Sequence, residues 1–124
     1  MRSILVVEDT ADARDILARM IRLGGMVPMT AEDGYAALRV LEKQVPDAVL
    51  LDLMMPEMNG VELLYRIRAD ERWRGLPVIV LTALSEGSLV QRAAELGVQD
   101  FILKGAINAV DLIDRIARNF KPDA

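Results

Sequence analysis

The sequence predicts an α/β fold, in which helices cover both faces of a parallel sheet. Five strand-like runs alternate with five stretches whose apolar residues recur at spacings of three and four. Such alternation is typical of parallel strands joined by right-handed helical crossovers. The central runs are continuously apolar, as expected of strands that are buried on both faces. The length of 124 residues suits a single domain with one core.

The first third of the chain predicts two strands with a helix between them. Residues 4–7 form the first apolar run, and a helix is expected after Thr10 as its N-cap. Gly24 can end this helix. The second strand, at residues 26–30, contains Pro28, which cannot donate a hydrogen bond to a neighbouring strand. We therefore expect this strand to lie at an edge of the sheet.

The remainder of the chain repeats the pattern of strand and helix. Further strands are predicted at residues 48–51, 78–81 and 101–103. Further helices are predicted after Asp33, after Asn59 and Gly60, around residues 86–96 with Gly97 as a stop, and from Ala109 to Phe120. We expect residues 1–121 to form the domain and residues 122–124 to be a tail or the start of a linker.

The composition excludes several kinds of site. The chain has no cysteine, which removes disulfides, thiol catalysis and cysteine zinc sites, and no histidine, which removes Ser-His triads and histidine metal ligands. The net charge of -4 argues against direct binding to nucleic acid. No apolar run approaches the roughly 20 residues that span a bilayer. A cysteine-free chain fits a reducing cytoplasm, where we expect this protein.

Four of the apolar runs end in polar residues that can support chemistry. These residues are Glu8 with Asp9, then Asp52, Thr82 and Lys104. In open parallel sheets the working groups lie beyond the carboxyl ends of the strands. We therefore expect these residues to meet on one rim of the sheet. Each of them alone has an ordinary interpretation as a turn, cap or surface residue, but their joint placement favours a functional site.

A cluster of three carboxylates on this rim needs a compensating cation. Two unit charges about 4 Å apart repel by about 4 kcal/mol at an effective dielectric constant of 20. Carboxylate and carbonyl oxygens without histidine or cysteine suit Mg2+, or Mn2+, better than zinc. Asp52 could then act as a nucleophile toward phosphorus and form an acyl phosphate. Thr82 and Lys104 would bind oxygens of the transferred group.

With these residues in place, the sequence resembles the receiver domain of two-component response regulators over nearly its whole length. The resemblance rests on Glu8 and Asp9 after the first strand, the segment Leu51-Asp52-Leu53-Met54-Met55-Pro56-Glu57-Met58-Asn59-Gly60, Leu81-Thr82-Ala83, and Phe101-Ile102-Leu103-Lys104. It implies a flavodoxin-like, doubly wound fold with five parallel strands in the order 2-1-3-4-5. That order places the second strand on an edge, as Pro28 suggests independently.

The resemblance also implies a function. Asp52 would accept a phosphoryl group from the phosphohistidine of a sensor histidine kinase or a histidine phosphotransfer protein. Asp9, Asp52 and the backbone carbonyl of Met54 would hold Mg2+, with Glu8 supporting through water. The chain would promote only its own phosphorylation and dephosphorylation, and would signal to a downstream protein target or effector domain. We expect a monomer or a phosphorylation-dependent dimer, without direct nucleic-acid or membrane binding.

A switch and two departures from the family pattern follow from the same resemblance. Thr82 would move toward the phosphoryl group and Phe101 would turn inward, which alters the face made by the fourth helix, fifth strand and fifth helix. The family commonly has proline after the lysine in a cis bond, whereas Gly105 stands here. A cis non-proline bond costs roughly 2.5–4 kcal/mol, so we expect this loop to be trans, more mobile or shaped differently. Met54 and Leu84 are apolar where the family positions a hydrolytic water, which predicts slow loss of the phosphoryl group.

Three other functions come into consideration, and the residues argue against the second and third of them. A pseudo-receiver would bind partners without being phosphorylated, and the departure at Gly105 keeps this alternative open. A haloacid-dehalogenase-like phosphatase also uses an aspartate at a strand end, but needs a second aspartate two positions later, where Met54 stands. A flavodoxin would need a Ser/Thr/Gly-rich phosphate loop after the first strand, and none is present.

Overall fold

The computed structural model describes residues 1–120, apart from the side chain of Leu84, and the predicted tail at residues 122–124 lies outside the described part. Five parallel strands form one sheet in the order β2-β1-β3-β4-β5. The strands are β1 (Ser3–Val7), β2 (Val27–Ala31), β3 (Ala48–Asp52), β4 (Val78–Thr82) and β5 (Asp100–Leu103). The helices are α1 (Ala11–Leu23), α2 (Gly34–Lys43), α3 (Gly60–Ala69), α4 (Gly87–Leu96) and α5 (Ala109–Arg118). The predicted fold and strand order are confirmed.

The two faces of the sheet have separate apolar layers because successive side chains of a strand point to opposite faces. Leu51 and Val80 face the layer under α2, α3 and α4. Leu50 and Ile79 face the layer under α1 and α5. Every residue of β3 and β4 is buried, which explains why their sequences show no alternation of apolar and polar residues. Pro28 lies opposite Ile4 on the edge strand β2, as predicted.

Side-chain caps start three of the helices. The side chains of Asp33, Asn59 and Asn108 accept hydrogen bonds from backbone N–H groups in the first turns of α2, α3 and α5. Thr10 lies at the N-cap position of α1, as expected, but its side chain makes no capping hydrogen bond. The caps of α3 and α5 fix where these two helices begin after the loops that follow Asp52 and Lys104.

The last helix ends two residues earlier than the sequence predicted. It stops at Arg118, Asn119 caps it, and Phe120 lies beyond it. Phe120 nevertheless packs against the layer under α1 and α5, and the Arg2 guanidinium lies 4.7 Å from the centre of its ring. The spacing of apolar residues indicates which residues face the core, but it does not indicate where the helix ends, because the end depends on backbone hydrogen bonds. No helix among residues 1–120 has the length and apolar character needed to cross a membrane.

Candidate functional site

The register of the sheet brings the predicted residues to one edge. Val7 of β1 lies opposite Leu51 of β3, so the residues that follow them, Glu8 and Asp52, are level with each other. On the other side, Thr82 of β4 lies opposite Leu103 of β5, the residue before Lys104. Four chain segments that are distant in sequence therefore meet at the carboxyl end of the sheet.

Three carboxylates form the centre of this edge. Glu8, Asp9 and Asp52 each place one carboxylate oxygen within 4.8 Å of the others. Asp52 is completely buried, Glu8 is buried, and Asp9 is exposed. Charges of the same sign at such distances repel strongly in a partly buried site. The arrangement therefore requires a cation or a shared proton.

Lys104 supplies part of that compensation. Its Nζ atom donates a hydrogen bond of 2.8 Å to Asp52 Oδ2 and lies 3.7 Å from Glu8 Oε2. Asp52 Oδ1 accepts a hydrogen bond of 3.2 Å from the backbone N–H of Met54. Burial lowers the pKa of Lys104, but the hydrogen bond to Asp52 and the charges of Asp52, Glu8 and Glu86 outweigh it and raise that pKa overall. Lys104 is therefore a permanent cation at this edge.

Glu8, the second buried carboxyl group of the site, has a raised pKa. The pKa of its carboxyl is raised from 4.5 to about 7, first by burial and then by the hydrogen bond and charge of Asp52, while the charge of Lys104 lowers it in part. Its Oε2 atom is buried without a hydrogen-bond partner. A buried carboxylate oxygen without a partner costs free energy. When no metal is bound, the Glu8 carboxyl therefore takes up a proton as the pH falls through about 7.

The raised pKa of Glu8 predicts a pH dependence of stability for the metal-free protein. Because the folded pKa, about 7, exceeds the ordinary value of 4.5, the folded state binds the proton more tightly than the unfolded chain. This contribution to the free energy of unfolding is complete below pH 4.5 and is lost as pH rises through about 7. Urea unfolding in EDTA, compared between the wild type and Glu8→Gln, should show the wild type losing stability relative to the variant across this window. A difference that is constant with pH would contradict the prediction.

The residues present fit a divalent cation of the magnesium type. The three carboxylates supply hard oxygen donors. The Oε2 atom of Glu8 has no hydrogen-bond partner in the protein, so it is available as a metal ligand. A cation here would displace the proton from Glu8 and would reduce the repulsion among the three carboxylates.

Thr82 lies at the same edge, but its hydroxyl is engaged elsewhere. Its Oγ1 atom donates toward Glu86 Oε2 and toward the backbone carbonyl of Ala83, at 3.2 Å in each case. Phe101 is half-buried and packs against the layer under α2, α3 and α4. The resemblance implies that both residues take part in a switch, and that role stays a prediction.

Gly105 and Met54, which depart from the family pattern, are both exposed at this edge. The peptide bonds of residues 1–120 are all trans, including the bond to Gly105, and residues Lys104–Ala106 form a single turn of 3-10 helix. Met54 is 55% exposed beside Asp52. The side chain of Leu84, the second residue of the predicted water path, lies outside the described part of the structure.

Three further residues support the site, and the sequence pattern assigned none of them a role in it. Arg14 on α1 donates hydrogen bonds from one nitrogen to the backbone carbonyls of Glu8, at 2.9 Å, and Asp9, at 3.5 Å. Glu86 is buried beside Thr82. Gly60 starts α3 against the backbone of Asp52, where a Cβ atom would lie 2.6 Å from the Asp52 carbonyl oxygen. Only Gly60 had a sequence signal, because glycine before a helical run often marks a close approach.

Comparison with known proteins agrees with this geometry. Residues 4–117 match the family model described as response regulator receiver domain. The chain is 37% identical over 119 residues to chemotaxis protein CheY-3 of Vibrio cholerae, with 95% of this chain and 91% of that protein covered. It is 35% identical over 115 residues to the phosphate regulon transcriptional regulatory protein PhoB of Escherichia coli, covering 93% of this chain and 50% of PhoB. A solved signal receiver domain of a histidine kinase from Syntrophus aciditrophicus superimposes with a TM-score of 0.87 at 33% identity, covering 95% of this chain and 89% of that one.

Proposed function

This chain belongs to the response regulator receiver domain family, and we propose on that basis that it is a phosphoacceptor switch of two-component signalling. Asp52 would accept the phosphoryl group from a partner's phosphohistidine. The observation that carries the proposal is the pairing of the buried Asp52 carboxylate with Lys104 at 2.8 Å, beside Glu8 and Asp9. Receiver domains are signalling modules, and this geometry suits a single phosphoryl transfer to the chain itself.

The residues at the edge would divide the work of the transfer. An Asp52 carboxylate oxygen attacks phosphorus, a new oxygen–phosphorus bond forms, and the bond from phosphorus to the leaving nitrogen of the donor breaks. Asp52 is completely buried, so the partly exposed Lys104 side chain has to move aside to admit the donor. The Lys104 ammonium then binds the phosphoryl oxygens, and the Thr82 hydroxyl donates a hydrogen bond to one of them. Positioning and charge neutralisation are most of what this chemistry requires.

Asp9, Asp52 and the backbone carbonyl of Met54 would hold Mg2+, or Mn2+, with Glu8 supporting the site through water. When bound, the ion would neutralise the carboxylates and the negative charge that develops on the transferred group. Arg14 maintains the loop that presents Glu8 and Asp9 by bonding both of their carbonyls.

The donor would reach the site from the side of α1. A groove of about 240 Å³ opens beside Lys104 and is lined mainly by apolar residues of α1 and of the segment after β5. Ile16 of α1 is about half exposed there. This groove suits an apolar surface of a sensor histidine kinase or a histidine phosphotransfer protein. The output would be read at the face of α4, β5 and α5, by a downstream protein, an effector domain or a second copy.

A direct test is incubation of the purified protein with acetyl phosphate and Mg2+, followed by intact mass measurement. We expect a gain of one phosphoryl group that depends on Mg2+ and is lost with hydroxylamine, which cleaves acyl phosphates. A well-folded protein that never gains the group would overturn the proposal and favour a pseudo-receiver that binds partners without phosphorylation.

Slow loss of the phosphoryl group is a further prediction of this function. Met54 and Leu84 are apolar and cannot orient a hydrolytic water by hydrogen bonds. The phosphorylated wild type should therefore decay severalfold more slowly than a Met54→Asn/Leu84→Glu variant. The measurement is the time course of the intact mass after removal of the donor. Equal half-lives, or a longer one for the variant, would sink the prediction.

A further inference from the structure

A third buried acidic residue lies near the site and has no role in the proposed transfer. Within residues 1–120 the buried polar and charged residues are Glu8, Asp52, Thr82 and Glu86. Glu86 ends the 3-10 turn Leu84–Glu86 between β4 and α4, and 6% of its surface is exposed. Its Oε2 atom accepts the 3.2 Å hydrogen bond from Thr82 Oγ1. A buried carboxylate needs such a partner because the interior cannot solvate it.

The hydroxyl of Thr82 cannot serve two anions at once. A threonine hydroxyl has one hydrogen to donate. In the unphosphorylated structure this hydrogen faces Glu86 and the carbonyl of Ala83. A phosphoryl group on Asp52 would be a new acceptor for the same hydrogen. It would also add negative charge near the Glu86 carboxylate, in surroundings where charges are poorly screened.

Glu86 also has a second place to bind. It occupies the N-cap position of α4, yet its side chain makes no capping hydrogen bond. The first N–H groups of a helix lack partners within the helix and favour negative charge. A carboxylate released by Thr82 can therefore turn to the start of α4. Thr82 and the start of α4 are thus two alternative partners for this carboxylate, and the structure shows the arrangement on Thr82.

We propose that Glu86 is a positioning residue that holds Thr82 in its unphosphorylated arrangement, and that phosphorylation of Asp52 displaces it toward the N-terminus of α4. The Glu86–Thr82 contact thereby opposes phosphorylation and couples it to α4. This inference rests on the proposed phosphoacceptor function and adds a regulatory residue to it.

The test uses beryllofluoride with Mg2+ as a phosphoryl analogue and backbone amide NMR of Thr82, Ala83 and Phe101. In Glu86→Gln, the amide signals of the protein without beryllofluoride should move toward the wild-type positions with beryllofluoride. The concentration of beryllofluoride at half-saturation should fall roughly tenfold, as expected when a hydrogen bond to a charged group is weakened. Glu95→Gln, which makes the same charge change at an exposed position of α4, is the matched control and should behave as the wild type.

Two further variants separate the contact from the charge. Glu86→Asp keeps the charge but withdraws the carboxylate from Thr82, and should shift the signals in the same direction as Glu86→Gln. In a Thr82→Val background the larger part of the Glu86→Gln effect should disappear. An undiminished effect there, or spectra of Glu86→Gln identical to the wild type, would overturn the inference while leaving the phosphoacceptor function intact. A wild type that does not respond to beryllofluoride would overturn both.

Discussion

The phosphoryl adduct is expected to disappear when Asp52 is replaced with asparagine. Asparagine has the same shape, and its amide oxygen can still accept the hydrogen bond from the Met54 N–H that Asp52 Oδ1 accepts at 3.2 Å. It lacks the charged oxygen that attacks phosphorus. The loss should be complete within detection by intact mass, whereas the folded content, measured by circular dichroism and urea unfolding, should be kept.

The control for Asp52→Asn has to separate a nucleophile from a carboxylate that only assists. Asp9→Asn removes a charge from the same cluster of oxygens within 4.8 Å but leaves Asp52 in place. We expect it to slow phosphorylation and to raise the Mg2+ concentration required, with the adduct still on Asp52. An adduct of undiminished yield on Asp52→Asn, carried by Glu8 or Asp9, would show that the carboxylates are interchangeable and would refute the assignment.

A methyl group at position 60 is expected to disrupt the site from the backbone. The Cβ atom of Gly60→Ala would lie 2.6 Å from the carbonyl oxygen of Asp52 and 2.7 Å from the Cα atom of Leu53. Both are backbone atoms and cannot retreat as a flexible side chain would. Gly60 N–H also donates a hydrogen bond of 2.9 Å to the Leu53 carbonyl, which a forced separation would weaken. We expect a loss of about 3 kcal/mol in the free energy of unfolding and a slower phosphorylation of Asp52.

Gly87→Ala is the matched control for the change at Gly60. Gly87 starts α4, and a Cβ atom there would meet nothing within 4 Å. Alanine favours a helix over glycine by about 0.5–1 kcal/mol, so this variant should be as stable as the wild type or slightly more stable. Urea unfolding of both variants provides the comparison. Equal stabilities of the two variants would show that the backbone can accommodate a Cβ atom at position 60, and would contradict the prediction.

The fold could be predicted from the sequence because its signals are local and repeated. Pro28 indicated an edge strand through its missing N–H, and β2 is that edge. The continuous apolar run before Asp52 indicated a strand covered on both faces, and every residue of β3 is buried. The end of α5 was misplaced because Phe120 continues the apolar spacing past the last helical residue, Arg118.

The candidate site was predictable as a set of residues, since parallel strands place their carboxyl ends on one edge of the sheet. Its internal contacts were not. The sequence does not show that Lys104 approaches Asp52 to 2.8 Å, or that Glu86 lies close enough to Thr82 to accept its hydrogen bond. Glu86 follows Thr82 by four residues, a spacing that indicates no contact by itself. An acidic residue at the start of a helix is usually exposed to solvent.

The sequence by itself therefore determined the class of fold, the order of elements along the chain and the identity of the acidic, hydroxyl and amine groups at the strand ends. These features could be predicted because hydrophobic periodicity and the position of a residue at a strand end are local properties, visible within a few residues of the sequence. The tertiary structure alone decided the protonation of Glu8, the pairing of Lys104, the engagement of Thr82 by Glu86 and the need for glycine at position 60. Each of these depends on burial and on distances between segments far apart in the chain, and such distances exist only once the sheet has set its register.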